Sequence, residues 1–197
     1  MSSSVQVEAL PRSEQRRRAI MRATLRVVAE GGLDRVTHRR VAAAAGVPLG
    51  STTYYFASRD DLIRQSFQLY LDESTKVLGD LAREYPEITV ENLVAYLVEL
   101  ARREFERPGL VLAEYELILA AARDASLARD LKSWERGRIA ELAEWLEQIG
   151  ASRPVESARS VLQLMRGYEL ESLTRPDPDP EDLGRRLSVL IRAFVDS

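Results

Sequence analysis

The chain has no cysteine and only one histidine, His38, in 197 residues. The first absence excludes disulfides, thiol nucleophiles and thiolate metal sites. The second leaves Cys/His and Ser/His/Asp machinery without its parts and rules out a His-rich metal site. No glycine-rich phosphate loop occurs. No apolar run approaches the roughly 18 residues of a membrane span, and the first eleven residues lack the basic start and apolar core of a secretory signal. Alternating strand patterns are missing too. These absences predict an all-α, soluble, cytoplasmic protein that is not an enzyme, with no metal, no cofactor and no membrane partner.

What is present is helical periodicity and unevenly placed charge. The formal net charge is −3, yet residues 1–60 carry ten arginines, no lysine and five acids, a balance of +5. Residues 61–197 hold eighteen bases and twenty-six acids, a balance of −8. A basic first third is drawn to phosphates while the acidic remainder is repelled and left facing away. Arg16, Arg17 and Arg18 alone would read as a solvated helix start, the usual meaning of a charge run.

Nine helices are expected, over 13–30, 37–45, 49–55, 58–83, 90–106, 110–122, 127–149, 154–174 and 180–195. Ser13 is the expected N-cap of the first, whose inner face repeats Ile20, Ala23, Thr24, Val27 and Val28. Ser58 with Asp61 resembles a capping box, and Asp179 with Pro180 opens the last helix. The stretch 110–122 has few polar faces and reads as a largely buried helix. Residues 175–180 form a stiff Pro/Asp loop. The organisation is a leader over 1–12, a compact head over 13–57, a connector over 58–84 and a larger domain over 85–197.

The most informative segment is residues 37–56. Two short helices joined across Gly46 make a helix-turn-helix, whose second helix enters the DNA major groove while the first crosses the backbone. Val41, Ala42, Val47 and Thr52 supply its inward face, and Gly46 tolerates the positive φ of a sharp helix exit. An ordinary helical hairpin would share the alanines, but not the flanking arginines and tyrosines. Core packing is the expected role of Tyr55 and Phe56.

Over roughly residues 16–63 the chain resembles the tetracycline-repressor (TetR) family. The motifs are the arginine-rich first helix, Gly31-Gly32-Leu33, Val36-Thr37, Val41-Ala42, Gly46-Val47, Gly50-Ser51, Tyr54-Tyr55-Phe56 and Ser58-x-Asp60-x-Leu62. Beyond Ile63 only helix count and acidic character match. The resemblance implies a homodimeric regulator on a palindromic double-stranded operator, most simply a repressor released by a small, largely hydrophobic effector. An activator of the same fold, or an all-α binding protein or enzyme with an incidental basic head, are the alternatives. Carried over by position, Thr37 and Tyr54 meet phosphate, with charge from Arg16, Arg17 and Arg59, while His38 lies at the surface or faces phosphate. Arg39 reads a guanine edge, and Leu49, Gly50 and Ser51 face bases. Thr52 and Thr53 depart from the pattern, where an aliphatic residue and a tyrosine are usual, so Thr53 adds less to the backbone contact.

In the remainder, Tyr70, Tyr96, Phe105, Tyr115, Trp134, Met165 and Tyr168 are candidates to line an apolar effector pocket. Glu114, Arg166 or Gln163 would serve as polar anchors there. Core packing explains the same side chains. Glu114, Glu116, Glu169 and Glu171 are the carboxylates that acid/base chemistry would need, and solvated helix faces account for them equally. Two apolar stripes, Val161, Leu162, Leu164 and Met165 with Leu183, Leu187, Leu190, Ile191 and Phe194, suit a four-helix bundle between two subunits.

Overall fold

The computed structural model describes residues 11–175 and 179–196. Among them it has nine α-helices, one 3₁₀ turn and no strand: α1 (Arg12–Gly31), the 3₁₀ turn (Leu33–Arg35), α2 (His38–Ala45), α3 (Leu49–Tyr55), α4 (Arg59–Ala82), α5 (Val90–Phe105), α6 (Pro108–Ala121), α7 (Ala125–Gln148), α8 (Pro154–Ser172) and α9 (Pro180–Val195). No helix among the described residues is long and apolar enough to cross a membrane. The chain divides into two compact units, the first ending at Leu69 and the second beginning at Tyr70.

Helix ends follow local chemistry. Thr37 caps α2, its Oγ1 accepting from the Arg40 N–H at 3.1 Å. Gly46 closes α2 in the left-handed region, at φ 66°, and the Val47 and Gly46 amides return to the Ala42 and Ala43 carbonyls. This is a Schellman closure, which favours glycine at that position. The Ser58 Oγ accepts from the Asp61 amide at 3.0 Å, while Asp61 reaches back to the Ala57 amide at 3.1 Å, one residue before the expected partner. Asp179 caps α9 through the Glu181 and Asp182 amides.

Three expectations need correction. Ser13 is not the first cap: the Gln15 amide bonds to the Pro11 carbonyl, so α1 starts earlier and Ser13 lies in its first turn. The sixth helix begins at Pro108, two residues before the expected 110, with the proline in its first turn, where its missing N–H costs nothing. Finally, α6 is not buried all round, since Leu119 is 65 % exposed and Leu112 is 40 % exposed. Of the expected leader, residues 1–10 lie outside the described residues, as do 176–178 of the Pro/Asp loop.

In the first unit the apolar face of α1 (Ile20, Ala23, Val27, Val28) is buried, as are Val36, Val41, Phe56, Leu62 and Phe67. The second unit has its own core, in which Leu81, Leu93, Leu97, Leu146, Val161, Met165, Leu183, Leu187 and Ile191 are essentially inaccessible. The dimer expectation fails for part of this list. Val161, Leu183, Leu187 and Ile191 are 0 % exposed within one chain, so they pack its own interior and cannot face a partner.

Candidate nucleic-acid interface and buried polar cluster

The head is held together by its own arginines. Arg59 donates from Nε to the Val36 carbonyl at 3.0 Å and from Nη2 to the Leu33 carbonyl at 2.7 Å. It thereby ties the start of α4 to the 3₁₀ turn and to the residue before the α2 cap. Arg26 donates to the Ala44 carbonyl at 2.9 Å, satisfying one of the last orphan carbonyls of α2. Arg17 bonds Gln65 and Glu14. So part of the positive charge counted in the first third is spent on the head's geometry. Arg17 and Arg59, expected at phosphates, both have internal partners.

The helix-turn-helix leaves a different set outward. Arg39 and Arg16 are exposed, as is Thr37 apart from its capping oxygen. On α3, Tyr54 is 81 % exposed and Leu49 is 50 % exposed. Gly50 has open space where a Cβ would stand, so nothing in its own unit crowds that surface. Ser51 is half-buried, and Thr53 is exposed with its hydroxyl donating to the Gly50 carbonyl at 3.3 Å. Thr52 is fully buried and satisfies its hydroxyl on the Leu49 carbonyl at 2.8 Å, which is how a polar residue fills an aliphatic position. Phe56 is core, as expected; Tyr55 is half-buried, edge-on to the Tyr54 ring at 4.9 Å. His38 is half-buried, and its Nδ1 is shut from solvent without a partner.

In the second unit the expected pocket residues fall into four places. Tyr96 packs against Tyr85 and Trp145, with ring centroids 6.0 and 4.9 Å away. Phe105 and Tyr168 form an edge-to-face pair at 5.8 Å. Met165 lines a cavity of about 170 Å³ together with Arg138, Leu162, Gln163, Arg166 and Glu169. Tyr70, Glu114, Tyr115 and Trp134 belong to a polar cluster to which five helices contribute.

That cluster was only partly foreseen. The Tyr70 hydroxyl of α4 donates to Glu114 of α6. The Tyr115 hydroxyl lies 3.0 Å from both the Glu169 carboxylate and the Arg166 carbonyl of α8. Glu104 of α5 lies near Glu169, and its Oε2 is shut from solvent and has no partner. Arg138 of α7 stacks 4.9 Å over the Trp134 ring, and Arg166 is paired with Glu135 at 2.6 Å. Glu114 and Glu169 are 8 % and 6 % exposed, so neither is the solvated helix carboxylate that their sequence context allows. Glu171, by contrast, is exposed and pairs with Arg175.

Burial pushes the Glu104 carboxyl well above the ordinary range, reinforced by the Glu169 charge. Burial and the Glu114 charge raise Glu169 as well. Burial also raises the phenols of Tyr70 and Tyr115, aided by their carboxylate partners. Glu104 was overlooked because it ends an Arg-Arg-Glu run that reads as a solvated face. Yet it continues the stripe Leu93, Leu97, Leu100, Ala101 at helical spacing, a signal that would have placed it inside.

The geometry of a short capped helix, a left-handed glycine turn and a second short helix with an outward tyrosine has counterparts in known proteins. Residues 20–65 match the family model described as bacterial regulatory proteins, tetR family. Residues 88–197 match the model described as tetracyclin repressor-like, C-terminal domain. The HTH-type transcriptional regulator PksA of Bacillus subtilis (strain 168) is 35 % identical over 69 residues, covering 35 % of this chain and 34 % of its own length. Among solved structures, a TetR family member from Streptomyces coelicolor A3 is 31 % identical with a TM-score of 0.69, covering 91 % of this chain and 98 % of that one. The multidrug binding protein EbrR is 32 % identical with a TM-score of 0.66, covering 89 % and 98 %. A transcriptional regulator from Rhodococcus sp. Rha1 shares the fold at 23 % identity, with a TM-score of 0.80 over 91 % and 96 %. With models matched in both the head and more than half the length, the chain belongs to the TetR family of bacterial transcriptional regulators, its helix-turn-helix being the DNA-binding part.

Proposed function

We propose that the chain is a cytoplasmic repressor, not an enzyme, that binds a palindromic operator as a homodimer and leaves it when a small effector occupies the second unit. The head over 13–57 reads DNA, 58–84 connects, and 85–197 binds effector and dimerises. The observation that carries this reading is the outward face of α3, where Tyr54 is 81 % exposed beside exposed Leu49 and the open backbone at Gly50. A large aromatic left in water on a basic unit is explained by a partner that covers it.

In the complex, Thr37, the N-terminal amides of α2 and the Tyr54 hydroxyl take phosphates. Arg39 takes guanine O6 and N7, and Leu49, Gly50 and Ser51 lie against base edges. Arg16, His38 and Thr53 border this face, and Arg17 and Arg59 lend charge while bracing the head. For dimerisation, Leu162, Leu164, Leu190 and Phe194 remain partly exposed, joined by the exposed Val155, Leu170 and Val189. An effector role for the second unit is supported by its buried polar cluster and by EbrR, whose structure is complexed with malachite green. Effector binding would favour a spacing of the two heads that no longer matches successive major grooves.

Gel shift on a palindrome from the neighbouring intergenic region tests this. Arg39→Ala should cut discrimination against a base-substituted site by about 1–3 kcal/mol. Tyr54→Phe should weaken binding similarly on every sequence. Unchanged binding by both variants on a site the native chain recognises would refute the assigned roles.

A further inference from the structure

We propose that α3 reads thymine by its 5-methyl group through Leu49, so that each half-site of the operator carries a thymine whose methyl this leucine covers. The inference rests on the operator-binding reading and names the base chemistry that α3 can recognise.

Hydrogen-bond readout is nearly absent from α3. Its seven residues, Leu-Gly-Ser-Thr-Thr-Tyr-Tyr, include no Arg, Lys, Asn, Gln, Asp or Glu. Those are the side chains that tell one base pair from another by hydrogen bonds, the forked ones by two at once. The hydroxyls present are committed or indifferent. Thr52 is buried and donates to the Leu49 carbonyl at 2.8 Å, and Thr53 donates to the Gly50 carbonyl at 3.3 Å. Each has a single proton to give. Ser51 pairs with donor and acceptor bases alike and so discriminates little. With Tyr54 on phosphate, guanine reading falls to Arg39 on α2, and apolar contact is what remains for α3.

The apolar group is in place. Among the described residues of the first unit, the exposed large hydrophobic side chains are Leu49 and Tyr54, both on α3. A lone exposed leucine on an arbitrary surface needs no explanation. This one stands on the face turned to the base pairs. Its carbonyl is held by the Thr52 hydroxyl, so the side chain is presented from a fixed backbone. Beside it, Gly50 has open space where a Cβ would stand, and no side chain there holds a base away. In the major groove thymine is the base that offers a methyl, and apolar contact selects it. A base-edge donor or acceptor pressed against leucine loses its water with no bond in return, which disfavours the other bases. Covering one methyl corresponds to about a four-fold change in affinity per half-site, and about sixteen-fold over two.

Binding of the full chain to the palindrome it recognises, at fixed salt, tests the proposal from the DNA side. Each thymine in turn is replaced by deoxyuridine in both half-sites, which removes the methyl and leaves the pairing unchanged. At one symmetric position affinity should fall about sixteen-fold. At that position 5-methylcytosine paired with guanine should bind more tightly than cytosine paired with guanine by a similar factor. Leu49→Ala, with folding followed by circular dichroism, should bind the thymine and uracil duplexes within two-fold of each other, whereas Leu49→Met should keep the preference. Arg39→Ala should retain the uracil penalty while losing guanine discrimination. An effect below two-fold at every thymine, or the full penalty surviving in folded Leu49→Ala, would overturn the inference. Selective binding by the native chain without a uracil penalty removes this inference alone; no selective binding to any palindrome removes the operator reading with it.

Discussion

Replacing Arg59 by methionine distinguishes a phosphate clamp from an internal brace. Besides an exposed pair with Asp60 at 3.3 Å, the guanidinium makes two charge-assisted bonds to backbone, 3.0 Å to the Val36 carbonyl and 2.7 Å to the Leu33 carbonyl. Bonds to a charged group contribute about 1.5–3 kcal/mol each when well buried. Here the side chain is 42 % exposed, so water replaces much of what is lost. Loss of the fork should then cost roughly 2 kcal/mol, about a 30-fold shift in the opening equilibrium. Both tryptophans, Trp134 and Trp145, lie in the second unit, so tryptophan fluorescence does not follow the head. Amide hydrogen exchange does. The Val36 amide bonds to the Leu33 carbonyl and the Val41 amide to the Thr37 carbonyl, next to the brace. In Arg59→Met both should exchange about 30-fold faster than in the native chain, to the extent that they exchange by opening of the whole head. Arg59→Lys keeps the charge but cannot span both carbonyls, and should fall between. If Arg59 acts only through phosphate, exchange stays native and the slope of log K against log salt changes by about one. Exchange within two-fold of native would refute the brace.

The outward stripe predicts that Leu170→Arg with Val189→Arg yields folded monomers by light scattering, whereas Leu187→Ala lowers stability by about 2–5 kcal/mol without a specific effect on association. Native association in the double variant would remove that face from the interface. Stability should also respond to pH through Glu104 and Glu169, whose carboxyls stay protonated above the ordinary value of 4.5. Between that value and their raised ones the folded chain holds protons the unfolded chain has lost. Their contribution therefore falls as pH rises through this window. Denaturant titrations from pH 5 to 7.5 should show the decline, and Glu104→Gln should flatten it; a native slope in the variant would refute that origin.

Helix existence was legible wherever periodicity ran for three turns or more, and helix ends wherever a side chain caps them. Thr37, Gly46, Asp179 and Gly150 all stand where the sequence places a terminus, with Gly46 and Gly150 at φ 66° and 95°. The 3₁₀ turn at Leu33–Arg35 was not legible, because three residues carry no period. It matters nonetheless, since it presents the Leu33 carbonyl to Arg59. The start of α6 was set two residues late because proline both disfavours helix before it, where α5 does end, and suits the first turn of the helix it opens. The arginine-rich first third signalled charge correctly, but which guanidiniums stay free depends on distant carbonyls. Arg26 meets Ala44 across eighteen residues and Arg59 meets Leu33 across twenty-six.

Burial was legible only as a face, not as its cover. On α8 the residues Val161, Met165 and Tyr168 point into the chain's own core, while Val155 and Leu170 point out. Both sets are apolar at helical spacing, so periodicity alone cannot assign one to the fold and the other to a partner. Carboxylates expose the converse limit. A glutamate on a helix is solvated by default, yet Glu114 and Glu169 lie among buried neighbours on their helices and the half-buried Glu104 has its Oε2 shut from solvent. Each breaks the local rule that a helix turns its apolar stripe inward, and on α5, α6 and α8 the breaks converge on one place. A core built for stability alone would put leucine at such positions, because each buried carboxylate costs desolvation that its neighbours only partly offset. Local violations that coincide in space are the expected mark of a functional site.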